Sequence, residues 1–223
     1  MTYALIPGAG GSAWYWHRVA PLLSGRGAIA ITVDLPADDD SADLTTYADT
    51  VVEAVSAVSE PLILVAQSMG AFTAPLVASR VPTSSIILVN PMVPTAGESP
   101  GQWWAATGHD HVVPDFDPVE DFFHDVPAAV REEAFRQGEP RQSDTPFGQP
   151  WPLDRWPDVP TRVIVGSDDR LFPPEFQRRV VRSRLGLEVE VMPGGHLVAL
   201  SRPEELAERI LSASAGIRDI DGN

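Results

Sequence analysis

At 223 residues, with 43% hydrophobic and 21% charged residues, the chain has the size and make-up of one globular domain with a substantial core. A net charge of -15 argues against binding a nucleic-acid backbone, and no apolar run reaches the ~20 residues of a membrane span. The chain has no cysteine and its 16 basic residues are all arginine, which excludes disulfides, thiolate chemistry, P-loop and Schiff-base lysines and Ser-Lys dyads. No secretory signal is read at the N-terminus, so a cytoplasmic chain is expected.

Residues 3–6 form an apolar run and predict a buried strand. A glycine-rich turn follows, then a helix over 12–23 and a strand over 28–33. Leu44, Tyr47, Val51, Val55 and Val58 recur at helical spacing and predict a helix over 44–58. Next come a strand at 62–66, a helix at 70–80 and a strand at 86–89. After a long interval the pattern resumes with a strand at 162–165, a helix at 174–184, a strand at 188–192 and a helix at 203–213. Pro174 and Pro203 suit first-turn positions. This alternation predicts an α/β fold: a mostly parallel six-stranded sheet with helices on both faces. The interval 95–160 has no clear strand and is rich in proline, aromatics and acids. It is too long for a plain loop, so it is expected to be a small helical cap inserted over the C-terminal edge of the sheet, within one domain spanning 1–223. The terminal GIRDIDGN is expected to fray.

The turn after the first strand, GAGGSA, admits two readings: a cradle for the pyrophosphate of a dinucleotide, or a turn whose backbone amide holds a developing oxyanion. Gly8, Gly10 and Ala13 spell G-x-G-x-x-A, and Asp34 ends the second strand 21 residues after Ala13. That spacing suits an acid that holds the ribose of a dinucleotide. Trp14, Tyr15 and Trp16 follow directly, however, and crowd a pyrophosphate while suiting an apolar pocket.

The rest of the chain favours the second reading. LILVAQSMGAF runs from strand through Ala66-Gln67-Ser68-Met69-Gly70 into helix, the arrangement of a nucleophile elbow with Ala66 at the usual first glycine. A serine nucleophile needs a base, and the base an orienting carboxylate. PGGHLVAL places His196 just after the last strand, and VIVGSDDRLF places Asp168 and Asp169 just after the preceding one. All lie at the C-terminal edge of a parallel sheet, in the chain order Ser, Asp, His. As isolated residues they would be a helix cap, a turn histidine and loop acids.

PGAGGSAWYWHRVAPLL, VAQSMGA and DDRLFPPEFQRRV followed by GGHLVAL resemble the α/β-hydrolase superfamily, in particular the branch of plant methylesterases and hydroxynitrile lyases. The resemblance covers most of the chain outside the cap. It implies Ser68 as nucleophile and His196 as base. The acid of the family lies three residues after a strand-ending glycine, which from Gly166 gives Asp169. The oxyanion donors match the backbone N–H groups of Ala9 and Met69. The usual His-Gly before this turn is Pro7-Gly8 here. In such a sheet the first and third strands are neighbours, and the crevice between them brings the glycine turn beside the elbow.

The expected function is a serine carboxylesterase acting on small neutral esters, with no cofactor, no metal, no nucleic-acid partner and no membrane partner. Hydroxynitrile lyases carry a lysine after the histidine and a threonine in the oxyanion turn; Leu197 and Gly8 stand there. A receptor-like binding protein on the same fold is the alternative outside enzymology. Trp14, Trp16, Met92, Trp103 and Trp104 are candidate substrate-binding residues, with Phe122 and Phe123 as further aromatics of the cap. His109, Asp110, His111, Asp115 and His124 lack a recognisable metal-ligand spacing.

Overall fold

Apolar residues in the strands alternate between two cores, and that alternation builds the molecule around one sheet. The computed structural model describes residues 1–109 and 117–218. β1 (Thr2–Ile6) leads through a 3-10 turn at Ala13–Trp16 to α1 (Ala20–Ser24) and β2 (Ile29–Thr32). Next come α2 (Leu44–Ala54), β3 (Leu62–Gln67), α3 (Gly70–Ala78) and β4 (Thr83–Val89). Then follow α4 (Pro100–Thr107), α5 (Pro118–Phe123), α6 (Ala128–Gln137), α7 (Thr145–Gly148) and β5 (Thr161–Gly166). The chain goes on through α8 (Pro174–Leu185), β6 (Glu190–Met192), α9 (Val198–Ser201) and α10 (Pro203–Arg218).

The sheet order is β2-β1-β3-β4-β5-β6, and every neighbouring pair is parallel. The chain crosses from β1 outward to β2, then returns past β1 to β3 and continues in the opposite direction. The switch point therefore lies between β1 and β3, where open parallel sheets form a crevice at their carboxyl ends. Ala4, Ile6, Leu64, Ala66, Ile86, Leu88, Val163 and Val165 face one core with α2, α3 and α8. Tyr3, Leu5, Ile63, Val65, Ile87, Val89 and Ile164 face the other with α9 and α10. Side chains that alternate in direction along each strand require this double burial, which is why the strands read as unbroken apolar runs.

The segment expected as one helix over 12–23 is broken in two. Ser12 accepts a hydrogen bond from Trp14 N–H and caps the 3-10 turn, and the α-helix restarts with Pro21 in its first turn. A proline deeper in a continuous helix would remove a bond and clash with the preceding turn. α2 stops at Ala54, with Val55 at φ -102°, ψ 5°, and the remaining residues to Val58 close as a turn. At the other end of the chain α10 continues through Arg218, so the tail expected to fray begins as helix; residues 219–223 lie outside the described residues.

The helices between β4 and β5 are short and are tied down at few points. Trp103 and Trp151 enter the core shared with α3, donating from their indole nitrogens to Val93 O at 2.9 Å and Phe72 O at 3.1 Å. Arg184 of α8 reaches Glu98 ahead of α4 in a two-pronged ion pair, with contacts of 2.5 and 2.8 Å and both side chains nearly buried. No helix among the described residues is long and apolar enough to cross a membrane.

Candidate active site

β3 ends at Gln67, and the chain reverses sharply into α3 at Ser68, a non-glycine residue at φ +51°. Such a conformation costs of order 1–3 kcal/mol and persists only where surrounding contacts over-determine it. Here they do. Ser68 N–H donates to Val89 O at 3.0 Å, and Ser68 O accepts from Met92 N–H at 3.0 Å and Ala71 N–H at 3.1 Å. A Cβ on Gly70 would stand 2.6 Å from Pro7 O, so glycine there lets the elbow press against the chain leaving β1. Ala66, in place of the usual glycine, is fully buried and pairs with Ile6 and Leu88 without distorting the ladder.

The glycine turn closes over the elbow. Gly11 N–H donates to Gly8 O at 3.1 Å, and Gly10 N–H donates to Gln142 Oε1 at 2.8 Å. A Cβ on Gly8 would overlap the Gln67 carboxamide and lie 3.0 Å from Ser68 Cβ. Ala9 follows in the turn, and Met69 caps α3, where the first N–H groups of a helix have no intrahelical partner. Among the described residues neither Ala9 N–H nor Met69 N–H donates a hydrogen bond. Asp34 accepts from Ala13 N–H at 2.7 Å, so the spacing that would suit a ribose serves to anchor the start of the 3-10 turn.

β5 and β6 deliver the remaining groups. Asp169 is buried; its Oδ1 accepts from Leu171 N–H at 2.9 Å and Phe172 N–H at 2.8 Å, and its Oδ2 meets His196 Nδ1 at 2.8 Å. Gln177 of α8 donates to the same Oδ2 at 3.4 Å. Asp168 is exposed and accepts from Gly194 N–H at 3.1 Å and the Ser167 hydroxyl at 2.9 Å. The Gly194 bond first, and the Ser167 bond second, hold its carboxyl below the usual carboxylate range. Of the two neighbouring acids, Asp169 is therefore the one on the imidazole.

His196 is 2% exposed and is held on several sides. Phe172 meets its ring edge-on with centroids 5.0 Å apart, and Phe122 lies at 5.3 Å. Asn90, at φ +45°, donates from Nδ2 to both Gly195 O and His196 O at 3.1 Å, while its Oδ1 accepts from Gly166 N–H at 2.8 Å. Asp125 accepts from Gly195 N–H at 2.7 Å. His196 Nε2 lies 3.1 Å from Gln67 Nε2. An amide nitrogen only donates, so Nε2 is the acceptor, and Nδ1 carries the proton toward Asp169. Among the described residues the Ser68 hydroxyl makes no hydrogen bond.

The aromatic candidates scatter. Trp16 and Trp103 are fully buried, in opposite cores. Met92 is buried on the Trp103 side. Trp14 is half-buried and stacks on His17 at 4.3 Å, and Trp104 is half-buried against Trp103, His109 and Phe172. Tyr15, whose hydroxyl accepts from Ala199 N–H at 3.4 Å, is buried, and burial pushes its phenol far above the ordinary value, so it stays neutral. A ring nitrogen of His109 lies 2.6 Å from Leu171 O amid Trp104, Phe172 and Phe176. His124 follows α5 and is half-buried; Asp110, His111 and Asp115 lie outside the described residues.

Sequence reasoning missed Gln67, Asn90, Asp125 and Gln177. Asn90 alone left a local signal, an Asn-Pro pair directly after a strand, where asparagine tolerates a left-handed turn. The other three act across 8 to 129 residues of sequence, and nothing local marks them.

The family profile described as "Alpha/beta hydrolase family" matches residues 4–209. Norfluorocurarine synthase 1 from a Strychnos species is 22% identical over 246 aligned positions, covering 92% of each chain. Among solved structures, polyneuridine aldehyde esterase superposes with a TM-score of 0.80 at 20% identity, over 96% of this chain and 98% of that one. A pyrethroid hydrolase from Sphingobium faniae JZ-2 gives 0.77 at 24% identity, over the same 96% and 98%. At these identities the structural likeness speaks for the fold.

Proposed function

The chain belongs to the alpha/beta hydrolase family, and from that premise we propose that it is a serine carboxylesterase that cleaves small neutral esters through an acyl-enzyme. The observation that carries this reading is the buried Asp169–His196 pair, 2.8 Å between Oδ2 and Nδ1, set at the same sheet edge as the left-handed elbow of Ser68. The names of two structural relatives, an esterase and a hydrolase, lend it support.

In this mechanism His196 Nε2 takes the Ser68 proton as Oγ attacks the ester carbonyl. The developing oxyanion is received by the N–H groups of Ala9 and Met69. Donors of this kind act in a site where water does not compete, and loss of one typically costs ~10²–10³ in turnover. The imidazolium is stabilised by Asp169, whose other oxygen is fixed by two backbone N–H groups and so cannot rotate away. His196 then protonates the leaving alkoxide, and a water repeats the sequence on the acyl-enzyme. The helices between β4 and β5 form the cap in this reading, and of the candidate indoles Trp14 and Trp104 are the two that keep partial exposure. A net charge of -15 disfavours anionic esters, which leaves neutral ones.

The test is the release of 4-nitrophenol from short-chain 4-nitrophenyl esters by wild type and Ser68→Ala. A burst in wild type and its loss in the folded variant are expected. Wild-type turnover in Ser68→Ala, or no burst from the parent protein, overturns the assignment.

A further inference from the structure

The base proposed above has no free nitrogen at rest. Asp169 holds Nδ1 of His196, and the Gln67 carboxamide holds Nε2 at 3.1 Å. Nε2 is the atom that must accept the Ser68 proton. We propose that Gln67 is a positioning residue that latches His196: its N–H occupies the Nε2 lone pair in the resting protein and must release it before Ser68 can be deprotonated. This rests on the serine-esterase reading and deepens it.

Three features define the latch. Gln67 is the last residue of β3, and strand alternation sends its side chain to the face of Ile63 and Val65, the side on which α9 follows His196. Gly8 leaves room for the Gln67 carboxamide, since a Cβ there would overlap Oε1, and in the place so cleared Nε2 is directed at the imidazole. The ring does not depend on Gln67 for its place. Asn90 holds the His196 carbonyl, Asp169 holds Nδ1, and Phe172 and Phe122 flank the ring. Release of Gln67 therefore frees a lone pair without freeing the histidine. Gln67 and Ser68 are adjacent, so they compete for one acceptor from one turn of backbone.

A neutral hydrogen bond of this kind biases such a competition roughly 2- to 10-fold. The measurement uses diethyl 4-nitrophenyl phosphate as the probe. In its reaction the Ser68 Oγ–P bond forms, the P–O bond to the aryl group breaks, 4-nitrophenolate leaves, and the serine proton passes to His196 Nε2. Gln67→Met keeps the length and removes the donor. The limiting rate of labelling is expected to rise about 2- to 10-fold, with the half-saturating probe concentration unchanged. The ¹⁵N resonance of His196 Nε2 is expected to move downfield as its lone pair loses a donor. Gln67→Glu, close in size but accepting only, is expected to slow labelling, because a carboxylate there favours a proton on Nε2. Opposite responses of two similar-sized variants are not produced by altered packing. Equal or slower labelling by folded Gln67→Met, or a parallel fall in both variants, overturns the latch. Ser68→Ala separates the two levels: nitrophenolate release that persists in it refutes the esterase reading, whereas release that depends on Ser68 but ignores Gln67 refutes the latch alone.

Discussion

Asp168 and Asp169 are consecutive, yet they grip different parts of the same histidine loop: Asp169 Oδ2 takes the imidazole Nδ1–H of His196 at 2.8 Å, and Asp168 Oδ2 takes the backbone N–H of Gly194 at 3.1 Å. One acid meets the imidazole, and the other fixes the turn that presents it. Asp169→Asn replaces an acceptor with a group that can offer a donor to Nδ1 and so favours the wrong tautomer. The expected loss in kcat is roughly 10³–10⁴-fold, the scale seen for such changes in serine triads. Asp168→Asn is expected to lose less than about 10-fold, since the imidazole keeps its partner. Steady-state hydrolysis of 4-nitrophenyl acetate checks both, and the reverse ranking would move the acid to Asp168.

The same Asp168 gives a prediction in pH. Its carboxyl is held below the ordinary range, chiefly by Gly194 N–H. A depressed folded-state pKa adds stability that is fully present above the unfolded value near ~4, and that is lost as pH falls through the folded value. Unfolding midpoints of wild type and Asp168→Asn should therefore differ at neutral pH, with wild type more stable, and converge once acidification has carried the pH below the lowered folded-state value. Because the residue is exposed, the difference should be small and should shrink further in high salt. A gap that widens as pH falls would contradict the sign.

Asn90 is fully buried and joins four segments: the turn directly after β4 in which it sits, Gly166 at the end of β5, Gln177 of α8, and the Gly195–His196 backbone. Asn90→Ala would leave two N–H groups, of Gly166 and the Gln177 carboxamide, and two carbonyls without that partner, and would set a Cβ-bearing residue without a polar side chain at φ +45°. Each buried group left unpaired costs about 1–3 kcal/mol. A drop of roughly 3 kcal/mol in unfolding free energy is expected, with a loss of activity as the histidine loop loosens. Asn90→Gly restores the backbone freedom but not the bonds, so it should be the milder of the two in urea unfolding. Equal stability of Asn90→Ala and wild type would show that the network contributes nothing.

The central strands were legible because they are buried on both sides and write apolar runs bounded by turn residues; those of β1, β3 and β5 fall within two residues of the observed ends, whereas the edge strand β2 buries none of its residues. Of the sheet order only one neighbourhood was expected, β1 beside β3, as the resembled fold implies, and the sheet has it. The positions of Ser68, Asp169 and His196 at strand ends were legible for the same reason. What holds them was not. Gln67 looks like any strand-ending polar residue until β3 and the turn after β6 are brought together, and Gln177 meets Asp169 only because α8 folds back on β5. The helices between β4 and β5 were legible only as a class. α5 and α6 bury none of their residues completely, so they write no apolar stripe from which boundaries could be read.

The anchor of α4 gives a prediction about stability rather than chemistry. Glu98 and Arg184 meet with side chains 8% and 10% exposed, and Arg184 also donates to Val93 O. Its guanidinium lies 6.0 Å from the Trp103 ring centre, so the pair sits against the packing that holds α4. Glu98→Gln leaves a nearly buried cation without its counter-charge, and breaking one side of such a pair costs about 3–5 kcal/mol. Glu98→Leu with Arg184→Met removes both charges together and should cost clearly less than the two single changes added, since neither charge is then stranded. A double-mutant cycle in urea measures this. Purely additive losses would mean that the two side chains are solvated independently and that the ion pair adds nothing to the hold on α4. The site lies at the other end of the β4–α4 connection, so labelling of Ser68 by an organophosphate should change little in any of these variants that stays folded. A large loss of labelling at full stability would instead make the ion pair part of how the cap is set over the sheet.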